Sequence, residues 1–144
     1  MITSAYCTSF KKQLLEGAHD FRVGRNVFKI ALYTEAANLN SSTTAYTTAG
    51  EIVGLGYTAG GLVLTQSNPV EFGSSGIVTF SNVSWTGATI AARGALIYNS
   101  TPVHTYTNPA CIVLDFGITR AAFNNTFEIR FPAATDQTAI IRVY

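Results

Sequence analysis

The amino-acid sequence predicts an all-β fold: an antiparallel β-sandwich or flattened barrel, jelly-roll-like or immunoglobulin-like, with one short N-terminal helix. Three observations predict it. Apolar residues recur with period two in several short segments, turn residues separate those segments, and the only helical spacing lies near the N-terminus. Long helices alternating with strands, which parallel βαβ units require, are absent.

Taken in order, residues 8–21 carry the helical signal. Phe10 and Leu14 stand four apart on one face, Thr8 or Ser9 can cap the first amides, and Gly17 can end the helix in the left-handed conformation. So short a helix needs support, so Phe10, Leu14 and Phe21 are expected to pack on a sheet. From Val27 the period becomes two. Phe28, Ile30 and Leu32 form an apolar face, and Lys29, Ala31 and Tyr33 a mixed one. Residues 35–50 have neither period and are rich in small hydroxyl side chains, which predicts an ordered excursion hydrogen-bonded to itself or to a neighbour. Glu51–Val53 is a short strand candidate. The glycine-rich segment 54–61 should turn tightly into a strand at Leu62–Thr65.

Beyond Asn68-Pro69, a brief strand at Val70–Phe72, a turn at 73–76 and a strand at 77–81 are expected. Val83, Trp85 and Ile90 continue in short units, and Ala95–Tyr98 is a strong strand ended by Asn99-Ser100. A second loop, Thr101–Pro109, contains His104. Cys111–Phe116 reads as one strand, 117–125 as a connection, and Thr126–Phe131 as another strand with Phe127, Ile129 and Phe131 inward. The last strand, Thr138–Tyr144, has apolar residues on both faces and is expected to be covered on both sides.

At 144 residues the chain suits a single domain, 1–144, with one core; a monomer of this size exposes about 7,000 Å². Charged residues are only 12% and the net charge is +1, which argues against binding a nucleic-acid backbone. Solubility rests on 19 Thr, 10 Ser and 9 Asn. Few charges mean little repulsion between copies, which points to a surface that is covered in use. The opening residues lack the basic and apolar regions of a secretory signal, and no apolar run is long enough for a membrane helix. Synthesis in the cytoplasm is therefore expected, with Cys7 and Cys111 reduced although one disulfide is formally possible, Cys111 buried and Cys7 partly exposed.

The chemical motifs are weak. Gly54–Gly61 has no following Gly-Lys-Ser/Thr and opens no helix, so a turn or close strand crossing is expected rather than a phosphate loop. Asp115-Phe116-Gly117 matches three letters of the kinase metal-binding tag without the rest of that machinery, and reads as a strand end. His19 and His104 stand without a ligand set and are expected to face solvent or a neighbour. Asn40, Asn82, Asn99 and Asn124 match the N-glycosylation triplet, a compositional match in a chain without a secretory signal. No catalytic constellation is present, so no enzymatic activity, no cofactor and no metal are expected; catalytic, cofactor-binding and metal residues are none.

Several segments carry a resemblance: Tyr6–Gly17, Phe28–Thr34, Gly56–Gly61, Ala92–Asn99 and Ile140–Val143, in the same order over most of the chain. On these the chain resembles a group of small structural proteins of tailed bacteriophages. It departs from the group in the stretch 20–26 and in a longer segment between Tyr98 and Cys111. The resemblance implies a virion component, with a capsid decoration or cement protein on the outer head shell favoured. Its implied partners are the major capsid protein and copies of itself, with no nucleic acid and no membrane. Loops 35–50 and 99–110 and an exposed sheet edge are the expected grips, with Arg22, Arg25 and His104 as candidate contacts. A head–tail joining or tail protein, or a carbohydrate-binding β-sandwich with an exposed aromatic platform, is the alternative.

Overall fold

The computed structural model describes Met1–Tyr144 throughout. Its elements in chain order are β1 (Ala5–Tyr6), α1 (Thr8–Leu15), β2 (Phe28–Tyr33), β3 (Leu62–Val63), β4 (Val70–Phe72), β5 (Ser75–Val78), β6 (Val83–Asn99), β7 (Ala110–Ile129) and β8 (Ile141–Val143). The protein is therefore mostly β with one short helix. Five strands form one sheet in the order β1-β7-β6-β2-β3, and three form a second, β4-β5-β8. Every strand pairing within them is antiparallel, and neither sheet closes on itself.

The hairpin of β6 and β7 is the frame. β6 runs 17 residues and β7 runs 20, where the sequence predicts four shorter strands and a connection at 117–125. The chain stays in the ladder because bulges absorb the turn-like residues. Between the pairs Ala92–Arg120 and Gly94–Asp115, four residues of β7 face the single Arg93. Gly117, at φ +81°, takes the left-handed backbone that this bulge needs. A second bulge lies between Ala88 and Ile90, opposite Asn124 at φ +48°.

Against this frame β2 lies fully buried on both faces, Lys29 excepted, so the predicted mixed face is corrected: Ala31 and Tyr33 are as buried as Phe28, Ile30 and Leu32. The covering comes from residues far along the chain. Glu51 bridges Tyr33, and the Ile52 N–H donates to Leu32 O. Glu51–Val53 contributes only that bridge, not a strand. Gly61 sits where a Cβ would lie 1.8 Å from Ile30 O, so the glycine-rich segment is a close crossing over β2, as its sequence suggests.

Thirty buried residues form one connected apolar core. An aromatic row runs through it from Tyr6 to Phe10, Phe21, Phe28, Phe80 and Phe131, with neighbouring ring centroids 4.3–6.3 Å apart. Such edge and stacked contacts add roughly 0.5–1.5 kcal/mol per pair beyond burial. The helix is shorter than predicted, ending at Leu15 before Gly17 at φ +70°. Its N-cap is Cys7, without a side-chain cap bond, rather than Thr8 or Ser9. Phe10 is buried as expected, but Gln13 shares the buried face and Leu14 is only partly covered.

The C-terminus corrects a further expectation. β8 is short and covered only at its start: Ile141 is buried and Ile140 and Arg142 half-buried, but Val143 and Tyr144 are 58% and 85% exposed, so neither face stays covered to the end.

Candidate interaction surface

β7 leaves one edge unfinished. Its inner edge pairs with β6, and its outer edge meets β1 at Ile112 and Val113, with one more bond from the Cys7 N–H to Cys111 O. The Asp115 N–H donates to Ser4 Oγ at 2.8 Å, and beyond it no strand covers the outer edge as far as Ile129. Beside that edge lies an open groove of about 640 Å³. Leu114, Phe116, Phe127, Ile129, Phe131 and Ile140 form its apolar wall, the last contributed from just before β8. The sequence assigns Phe127, Ile129 and Phe131 to an inward row; the structure buries Phe127 and Ile129 and leaves Phe131 half-buried at the groove.

Charges frame the groove. Asp115 is held by Arg93, whose Nε lies 2.8 Å from Oδ1, with Glu35 3.4 Å from the same guanidinium. The Arg93 hydrogen bond, followed by the Gly117 N–H, keeps the Asp115 carboxyl below its ordinary range. Asp115-Phe116-Gly117 is thus an ion-paired bulge, not the strand end that its letters suggest. Arg130 pairs with Glu128, and Arg120 makes no ion pair. At the bulges Ile118 and Phe123 stand 57% and 85% exposed. An open strand edge offers unmet backbone donors and acceptors, while bulges and charged residues discourage indiscriminate pairing. The arrangement suits a shape-matched protein partner.

The two loops expected to grip neighbours lie together at the far end of the hairpin. Ala45 bridges Pro109, the Tyr46 N–H donates to Asn108 O, and the Ala110 N–H donates to Thr44 O. His104 is exposed there at φ +49°. Beneath them Glu51 acts as a clasp. It accepts from Tyr46 Oη (2.6 Å), Tyr57 Oη (2.7 Å) and the Gly60 N–H (2.7 Å), while Tyr98 Oη donates to Gly60 O. Burial raises the phenols of Tyr33, Tyr46 and Tyr57, and pushes Tyr98 up to about 12. These tyrosines are neutral structural donors.

Arg22 and Arg25 are exposed on the loop before β2. Arg22 grips Asp20 through two bonds, 2.9 and 2.6 Å, and this hydrogen bonding lowers the Asp20 carboxyl to about 2. Only Arg25 of the two is unpaired. His19 does not face solvent as expected. Its Nε2 lies 2.8 Å from Gln13 Oε1 and its Nδ1 3.1 Å from Asn99 Nδ2, so the neutral tautomer with the proton on Nε2 satisfies both partners. Burial lowers its pKa to about 4. Asn99 also donates to Asn26 Oδ1, so this network ties the 18–26 stretch to the end of β6. Asn99 is wholly buried, which removes it as a glycan acceptor in the folded chain.

Cys7 is buried, against the expectation of partial exposure, and so is Cys111. No three His, Cys, Asp or Glu side chains converge as a metal cage would need. No helix is long and apolar enough to cross a membrane. The signal for the groove was present in the apolar alternation of 127–131, but that the outer edge of this strand would stay open follows only from the sheet order. No family model matches the chain, and neither curated proteins nor solved structures give a match.

Proposed function

We propose that this chain is a non-enzymatic structural protein of a tailed-bacteriophage virion. In this reading it is a decoration or cement protein on the outer capsid surface, bound to the major capsid protein and to copies of itself. The observation that carries the reading is the open outer edge of β7 beside an apolar groove, flanked by exposed Ile118 and Phe123. A partner strand laid along that edge would meet backbone donors and acceptors and bury apolar side chains in the same step. The resemblance of Tyr6–Gly17, Phe28–Thr34 and Ala92–Asn99 to phage structural proteins supports a phage particle as the setting. In this reading the two sheets are the layers of an open β-sandwich.

Low charge leaves little long-range steering, so attachment rests on local shape and hydrogen bonds and should tolerate salt. A carbohydrate-binding module would need neighbouring exposed aromatics. Here Phe123 stands alone on β7, while Phe72 on β4 and Tyr144 just past β8 stand at opposite edges of the smaller sheet with β5 between them, about 10 Å apart.

The test is rebinding to particles stripped of the protein. Wild type should rebind at both 0.1 and about 0.5 M salt, beyond the range where exposed charges act at a distance. Phe123→Asp and Ile118→Asp should fold normally yet rebind at least tenfold more weakly. Undiminished rebinding by both variants would reject the β7 edge as the grip.

A further inference from the structure

The register of β1 against β7 brings together two residues that lie more than a hundred positions apart. Ala5 pairs with Val113 and Tyr6 with Ile112, so the next pair in the ladder is Cys7 with Cys111. The Cys7 N–H donates to Cys111 O at 2.9 Å, which continues the antiparallel pairing through that step. Residues directly opposite in such a hydrogen-bonded pair have Cα atoms about 5.5 Å apart and side chains on the same face. Disulfides usually span Cα separations of about 4.4–6.8 Å. Both cysteines are free and fully buried.

We propose that Cys7 and Cys111 are a disulfide site, closed when the protein meets an oxidising medium outside the reducing cytoplasm. The bond would staple the two-residue β1, and with it α1, to the central hairpin. Burial pushes the Cys7 thiol up to about 11 and the Cys111 thiol well above its ordinary value. Both therefore stay protonated in the closed molecule, and reaction waits on local opening of the N-terminal segment. That segment adds only a two-residue strand to the sheet, with single further bonds from Ser4 and Cys7 to β7, so it has far fewer ladder bonds to break than the hairpin.

With a small disulfide such as oxidised glutathione as oxidant, the steps balance. Cys7, deprotonated on opening, attacks one glutathione sulfur, and the first glutathione leaves as thiolate. Cys111 loses its proton and attacks the Cys7 sulfur of the mixed disulfide, expelling the second glutathione. The two cysteines lose two protons and two electrons; the electrons reduce glutathione disulfide to two thiols. The second step is favoured because the partner already lies opposite in the ladder. No other thiol in the chain competes.

The experiment exposes the purified full chain to oxidised glutathione at about pH 8.5, where a larger thiolate fraction speeds exchange, then quenches free thiols with an alkylating agent in denaturant. The expected result is an unalkylated monomer lighter by about 2 Da, with tryptic peptides 1–11 and 94–120 joined. Its melting temperature should rise by about 5–15 °C, because a cross-link closing so long a loop restricts the unfolded chain. Cys7→Ser should show neither the link nor the rise. Two alkylated thiols per chain after prolonged oxidation, or linkage only between chains, would overturn the proposal.

Discussion

Replacing Glu51 by Ala should loosen the whole end of the molecule at which loops 35–50 and 54–61 meet. The carboxylate accepts three hydrogen bonds, from Tyr46, Tyr57 and the Gly60 N–H, all at 2.6–2.7 Å. Bonds to a charged group contribute roughly 1.5–3 kcal/mol each where water is excluded. Glu51 and both tyrosines are half-buried, so water can replace part of what is lost at the phenols, whereas Gly60 is buried and its N–H would be left with no acceptor. The expected loss is about 2–4 kcal/mol, a fall of about 1–2 M in the urea midpoint. Glu51→Gln keeps an acceptor for Tyr57 and Gly60 and lets Tyr46 accept from the new amide, so it should lose only about 1 kcal/mol. The assay is urea unfolding followed by Trp85 fluorescence, the only tryptophan, whose ring lies 6.1 Å from that of Tyr57. A loss below about 0.5 kcal/mol for Glu51→Ala would refute the clasp, since that is the range of an ordinary surface change.

Two more perturbations test the packing account. Phe10→Ala should lose about 3–5 kcal/mol, Leu14→Ala about 1–2 because it is only partly covered, and Lys11→Ala less than 0.5, all read from urea midpoints; equal losses at all three would mean that α1 is peripheral. His19 has a folded pKa of about 4 against an ordinary 6.5, so the unfolded chain takes up its proton first as pH falls. Its contribution is complete above about pH 7, fades between 6.5 and 4, and amounts to about 1–2 kcal/mol after allowing for solvent screening. His19→Gln should flatten the stability profile across that window, and an unchanged slope would assign the pH dependence elsewhere.

What the sequence made legible was local. Period two at 28–33 and 127–131 located strands, Gly17 marked the end of the helix, and the crowding at Gly61 matched the expected close crossing. The long hairpin was not legible as such. The stretch 117–125, with Gly117 and Asn124, read as a connection, yet in a long antiparallel pair such residues, like Gly87 and Gly94 in β6, sit in bulges or at close approaches without leaving the ladder. Both faces of β2 were hidden for another reason: what covers Tyr33 arrives from Glu51, and neither a period nor a turn signal reports a neighbour that distant. His19 shows the same limit. Its polar partners, Gln13 and Asn99, are six and eighty residues away, and only the fold makes a histidine beside a helix end a neutral, half-buried link. The candidate surface was half legible, its apolar wall from alternation, its open edge only from topology.

A subunit-resolved reconstruction of the phage particle tests the central proposal most directly. The account predicts this chain on the outside of the head, across joints between major capsid subunits, with a neighbouring segment lying along Leu114–Ile129 and apolar side chains in the groove. Density confined to the tail would contradict the cementing role. A β7 edge facing solvent in every copy would contradict the grip, and absence of the chain from intact particles would contradict the proposed function altogether.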